Sequence, residues 1–202
     1  MNTLLLEFND TLEARKIILN DGVIAFPTET VYGLGCRYDS FLAYNKIFEV
    51  KGRDASKSLT VMLYDKNDIS KLAKVNEGTK KVIDKFMPGA LTLVLPLNDD
   101  VKIIGCQDTV GIRIPDNEDV LNLLKGIEKY MFVTSANLSN HDSLSNFDDV
   151  YHVFNNKIDG IVKGEISNGE ASTVCSIVDD TITIFRQGPI SKDEIEGAYY
   201  EK

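Results

Sequence analysis

Cations and hydroxyls recur in this 202-residue sequence just where strand-like or helical runs end. Thr28 follows the apolar run Val23-Ile-Ala-Phe26 and the strand-ending Pro27. Thr109 and Arg113 alternate with apolar residues in Thr109-Val-Gly-Ile-Arg-Ile-Pro115, so one strand face carries a hydroxyl, an open spot and a guanidinium. Ser135 and Asn137 open the loop after Met131–Thr134. Ser172 and Arg186 begin and end the last pair of strand-like runs, and Lys51 and Arg53 close a helical run. Three guanidiniums, an ammonium and several hydroxyls are equipment for holding phosphate and carboxylate groups, since arginine matches both through paired hydrogen bonds. Open α/β sheets bind ligands beyond the C-terminal ends of their strands, where Thr28 stands. Each also has a plain structural use as cap, turn former or solvated surface, and for the serines taken singly that use is the simpler account. Arg113 is different, because an arginine on an inner strand face is costly unless it meets an anion.

Several chemistries lack their signatures. There is no G-x-x-x-x-G-K-S/T loop, and Gly33-Leu-Gly35 has no third glycine for a dinucleotide fingerprint. No G-x-S-x-G elbow occurs, and His141 is the only histidine near the Ser135 loop that could activate a serine. Cys36, Cys106 and Cys175 are odd in number and far apart, which predicts reduced thiols in a cytoplasmic protein and no disulfide frame or metal site. A net charge of −9 counts against a broad nucleic-acid surface. Lys51, Arg53 and Lys57 still cluster, with Asp54 the only acid among them, and this suggests a small anionic ligand. The opening MNTLLLEFND is too short and too acidic for a secretion signal, and no apolar run approaches a membrane span.

The elements that must position these groups follow from periodicity. Helices are expected over 12–19, from Asp39 or Ser40 to Lys51 with Phe41, Leu42, Ile47 and Phe48 inward, and over 68–74, 76–87 and 118–126. A further helix spans 147–154, with Ser145 and Asp148 as its capping box, and the last spans 192–199, capped by Ser191 and Glu194. Strands are expected over 23–26, 59–64, 91–95, 110–114, 131–134 and 158–162, and over 172–178 and 181–186 as a hairpin turning at Asp179-Asp180. The segment from Tyr32 to Gly35 is expected as a glycine-permitted loop and cavity floor. Strands and helices alternate early and a hairpin closes the chain. That pattern indicates one α/β domain over residues 1–202, its core about 10–195, built on a twisted open mixed sheet with flanking helices.

The blocks Phe26-Pro-Thr-Glu-Thr-Val-Tyr-Gly-Leu-Gly35, Lys51-Gly-Arg53, Thr109-Val-Gly-Ile-Arg-Ile-Pro115, Thr134-Ser-Ala-Asn-Leu-Ser139, Ser172-Thr-Val and Arg186-Gln-Gly-Pro189, in that order, resemble the YrdC family of threonylcarbamoyl-AMP synthases. The resemblance covers about residues 10 to 195 and is to the short, single-domain form. It implies a concave cationic cavity on an open sheet. The implied reaction converts L-threonine, bicarbonate and ATP to threonylcarbamoyl-AMP and pyrophosphate, with Mg2+ carried by ATP. The product would feed a separate transferase that modifies the adenosine beside the anticodon in tRNAs reading codons that begin with A. Carried onto this chain, Lys51 and Arg53 would be catalytic. Lys51, Arg53, Thr109, Ser135, Asn137, Ser143 and Arg186 would bind ATP, and Thr28, Arg113 and Ser172 would bind threonine. Asp54 stands where many relatives have proline, and Met62 where some long relatives have a histidine near threonine, which puts that contact in question. Glu29 receives no role. Two other readings stand beside the synthase, an RNA-binding module and a related carbamoyl-adenylate enzyme with another amino acid substrate, and weak binding of tRNA is a further partner expectation.

Overall fold

The computed structural model describes residues 2–7, 11–54, 56–167 and 169–201. The first half holds β1 (Leu4–Glu7), α1 (Thr11–Leu19), β2 (Ile24–Phe26), β3 (Gly33–Arg37), α2 (Phe41–Lys51), β4 (Thr60–Met62), α3 (Ile69–Leu72), α4 (Glu77–Phe86) and β5 (Leu91–Pro96). The second holds β6 (Thr109–Arg113), α5 (Glu118–Ile127), β7 (Met131–Ser135), α6 (Phe147–Phe154), β8 (Gly160–Lys163), β9 (Thr173–Val178), β10 (Thr181–Arg186) and α7 (Lys192–Tyr199). The ten strands form one mixed sheet in the order β1-β8-β2-β3-β7-β4-β6-β5-β9-β10, the α/β architecture expected.

Strand alternation divides the core into two layers. Val23, Ala25, Leu34, Val61, Ile112 and Phe132 point to one face, where they meet α2, α4 and α7. Ile24, Phe26, Met62, Met131 and Val133 point to the other, against Ala14 and Ile18 of α1 and Val120, Leu123 and Leu124 of α5. That second helical layer covers the β8-β2-β3-β7 side of the sheet. The β4-β6-β5-β9-β10 side of the same face is left concave, and the site lies there.

One strand was not expected, and four local expectations are corrected. β1 had no sequence signal; its four residues pair in parallel with β8, more than 150 positions away. Gly33 to Arg37 form a strand between β2 and β7 where a loop was expected. A Cβ on Gly35 would sit 2.8 Å from Met131 Cε and 2.9 Å from the Phe26 ring, so this glycine makes room for packing and does not turn the chain. In α2 the inward face is Ala43, Tyr44, Ile47 and Phe48, while Phe41 and Leu42 are exposed. α6 is capped by Asn146, whose side chain accepts from the Asp149 amide at 2.9 Å; Ser145 and Asp148 do not form the box. The helix expected over 68–74 is one 3-10 turn and the short α3. The Ser191–Glu194 capping box and the hairpin do form, with Asp179 and Asp180 both at positive φ as a primed two-residue turn requires. All three cysteines are unpaired.

Candidate active site

Five strand ends and one helix end deliver the functional groups. In β6, alternation puts Thr109, Gly111 and Arg113 on the concave face. In β10, the register slips between Ile184 and Arg186, a bulge that re-aims the terminal arginine. Its Nε then donates to Ser172 O at 2.9 Å and its Nη2 to Ser172 Oγ at 3.2 Å. Ser172 Oγ is also 3.0 Å from Thr92 Oγ1, a buried hydroxyl of β5 that interrupts the apolar run Leu91 to Leu95. α2 ends on Gly52 in the left-handed region, whose amide and that of Arg53 close back on Glu49 O and Phe48 O. This cap turns Lys51 and Arg53 to opposite sides of one wall.

The cavity measures about 350 Å³. Thr28, Arg53, Thr109, Arg113, Ser135, Ser172 and Arg186 all line it. Lys51, Asn137 and Ser143 do not. Lys51 is 2% exposed and lies behind the wall. Its Nζ donates to Ser135 O, to Asn137 O at 2.7 Å and to Asn137 Oδ1 at 3.2 Å. Asn137 is likewise consumed locally, since its Nδ2 donates to Leu138 O and His141 O at 2.8 Å and its Oδ1 accepts from Ser135 Oγ at 2.5 Å. Ser143 precedes Leu144, which is stitched to Ala136 and Tyr32 through the backbone. His141 Nδ1 faces Ser139 O and the Ser135 hydroxyl is given to Asn137, so no serine–histidine dyad forms.

Thr28 is in place but occupied. Its hydroxyl lies 2.7 Å from Val31 O and accepts from the Thr30 amide at 3.1 Å, closing a tight turn after β2. The anion that Arg113 requires is Glu29: Oε1 accepts from Nη2 at 2.7 Å, and Nη2 also donates to Thr30 Oγ1 at 2.8 Å. Sequence reasoning missed Glu29, Thr30 and Thr92. Thr92 did carry a signal, being a hydroxyl within a strand otherwise apolar on both faces.

The electrostatics are those of cations drawn out of water. Burial, with the nearby Arg53 charge, pushes the Lys51 ammonium down to about 7. Burial also lowers Arg53, and burial followed by the charge of Arg113 lowers Arg186. Arg53 is steadied by donating to Lys57 O at 3.1 Å and Ser58 O at 3.0 Å. Asp54, the acid beside it, is exposed and accepts from the Ser56 amide at 2.9 Å, so it is turned away from the cavity.

With three guanidiniums, Arg113 buried, Arg53 half-buried and Arg186 exposed, converging on a sheet's concave face, the comparisons with known proteins fall into place. A family model for Sua5, YciO and YrdC, described as telomere recombination, matches residues 16–188. The chain belongs to this family. It is 35% identical over 181 residues to a putative threonylcarbamoyl-AMP synthase of Methanocaldococcus jannaschii, covering 88% of this chain and 86% of the relative. It is 37% identical to the threonylcarbamoyl-AMP synthase of Bacillus subtilis, covering 91% of this chain but 55% of that one. Among solved structures, Sua5 of Pyrococcus abyssi complexed with L-threonine superposes with a TM-score of 0.89 at 33% identity, over 98% of this chain and 61% of that one. The Sua5/YciO/YrdC chain therefore spans a little over half the length of two of these relatives. No helix among its described residues is long and apolar enough to cross a membrane.

Proposed function

We propose that this chain is an L-threonylcarbamoyladenylate synthase, joining L-threonine, bicarbonate and ATP with release of pyrophosphate. The observation that carries the reading is the convergence of Arg53, Arg113 and Arg186 with Thr28, Thr109, Ser135 and Ser172 on one cavity. Relatives named threonylcarbamoyl-AMP synthase, and a neighbour solved with L-threonine, support it. The threonine carboxylate pairs with Arg113, which aims the amine at bicarbonate or the carbon dioxide derived from it. Forming the N–C bond from bicarbonate releases water, and the N-carboxylate attacks the α-phosphorus of ATP, breaking its bond to the bridging oxygen and expelling pyrophosphate. Two anions must approach, so the barrier is largely electrostatic, and Arg53 and Arg186 offset it while the walls fix the geometry.

Lys51 works one layer behind. It fixes the Ser135–Asn137 loop on which the nucleotide rests, and Asn137 braces the same loop. Among the described residues no cluster of three or more acids, histidines or cysteines could hold a metal ion. Magnesium, brought by ATP, would be held by the phosphates and water and would supply charge stabilisation there. The product passes to a transferase that modifies tRNA.

The test is pyrophosphate release from ATP by the purified chain, with threonine, serine or no amino acid, each with and without bicarbonate. Release that needs both threonine and bicarbonate is expected. Release that is equally fast without threonine, or none at all, sinks the assignment.

A further inference from the structure

The proposed chemistry leaves one charged group beside the cavity without a role. Glu29 is 7% exposed and is joined to Arg113 by a single bond, although a carboxylate and a guanidinium can form two. Glu29 Oε2 and Arg113 Nε remain buried with no partner. The turn around it does not need this carboxylate, because the Thr28 hydroxyl and the backbone close that turn. Among the described residues, Arg113 is the only cavity-lining arginine paired with an acid. Arg53 is held by two carbonyls, and Arg186 by the carbonyl and hydroxyl of Ser172.

Charge in the cavity is therefore uneven. The Arg113–Glu29 pair is neutral as a unit while Arg113 can still donate to a ligand. Arg53 and Arg186 keep a full positive charge. A bare guanidinium attracts a multiply charged phosphate more strongly than a zwitterion, and a neutralised one loses most of that preference. We propose that Glu29 neutralises Arg113 so that this part of the cavity takes a zwitterionic amino acid and rejects phosphate, which is left to Arg53 and Arg186. The inference rests on the placement of the amino acid at Arg113 given above.

Calorimetric titration of L-threonine into the full chain, with and without inorganic phosphate, tests it in wild type, Glu29→Gln and Glu29→Asp. Phosphate should leave the wild-type affinity for threonine essentially unchanged. In Glu29→Gln it should weaken apparent threonine affinity by about tenfold, the scale of one unit charge left unneutralised within a few ångströms of the ligand. Glu29→Asp keeps the charge and should behave as wild type. A purely structural role would weaken threonine binding equally with and without phosphate. Thermal melting supplies a second readout for a Glu29→Gln variant too loose to bind threonine: phosphate should raise its melting temperature more than that of wild type. Equal phosphate sensitivity of wild type and Glu29→Gln in both measurements overturns the role of Glu29. A wild-type chain that binds no threonine overturns the proposed function instead, and the melting comparison still decides whether Glu29 bars anions.

Discussion

Lys51→Met removes a buried ammonium while keeping the length of the side chain, and its effect on stability carries a sign. Burial, then Arg53, lowers the folded-state pKa from the ordinary 10.5 to about 7. The unfolded chain keeps its proton up to the ordinary value. Below about pH 7 both states are protonated, and the cost of burying the charge is felt in full. Above it the unfolded state binds one proton more than the folded state, so stability rises with pH. One proton gives a slope of at most about 1.4 kcal/mol per pH unit. The buried Cys36 and Cys175 thiols, pushed up to about 12, act in the opposite sense once unfolded cysteines ionise. That begins at about pH 8.5.

The clean window thus runs from about pH 7 to about pH 8.5, and it is worth roughly 2 kcal/mol. For a chain of this size, that is a melting-temperature difference of roughly 4–8 °C. The oxygens of Ser135 and Asn137 around Nζ favour the charged form, which makes these figures upper bounds. Scanning calorimetry of wild type and Lys51→Met across that window reads the difference, with the cysteine titrations kept outside it. The wild type should gain stability with pH relative to the variant. Parallel curves would refute the account of a buried, depressed lysine.

Arg53→Ala should lower kcat for pyrophosphate release by about 10²–10³-fold, the scale of one lost charge-stabilising donor; a loss of less than about tenfold would remove Arg53 from the reaction. Arg53→Lys should not rescue it, because a point charge cannot hold Lys57 O and Ser58 O and also meet a phosphate. Gly35→Ala should cost about 1–3 kcal/mol in urea unfolding, because the new methyl meets Met131, Phe26 and Phe132 O at 2.8, 2.9 and 3.2 Å. A neutral result would mean that the β3 layer is looser than its packing implies. Asn146→Ala should cost about 1 kcal/mol and Ser145→Ala no more than about half that, measured the same way; the reverse order would restore Ser145 as the cap.

What the sequence disclosed, and what it hid, divides along the range of the forces involved. β6 and the β9–β10 hairpin were legible because alternation and turn chemistry act within a few residues. β3 was not, since Gly-Leu-Gly-Cys has little strand propensity. It is a strand because β2 and β7 flank it and Phe26 and Met131 fill the space its glycines leave. α2 was legible as a helix but misread in rotation: Phe41 and Leu42 fit an apolar stripe, and only the sheet decides which stripe turns inward. The site shows the same division. Seven of its ten expected residues reach the cavity because ordered motif blocks mark strand ends. Lys51 and Asn137 are hydrogen-bonded to each other across 86 positions, and sequence alone could not tell a group that touches a ligand from one that holds up the wall. Glu29 lies 84 positions from Arg113. Spacing showed that this arginine needed an anion, and only the fold shows that the protein supplies one itself, before any substrate arrives.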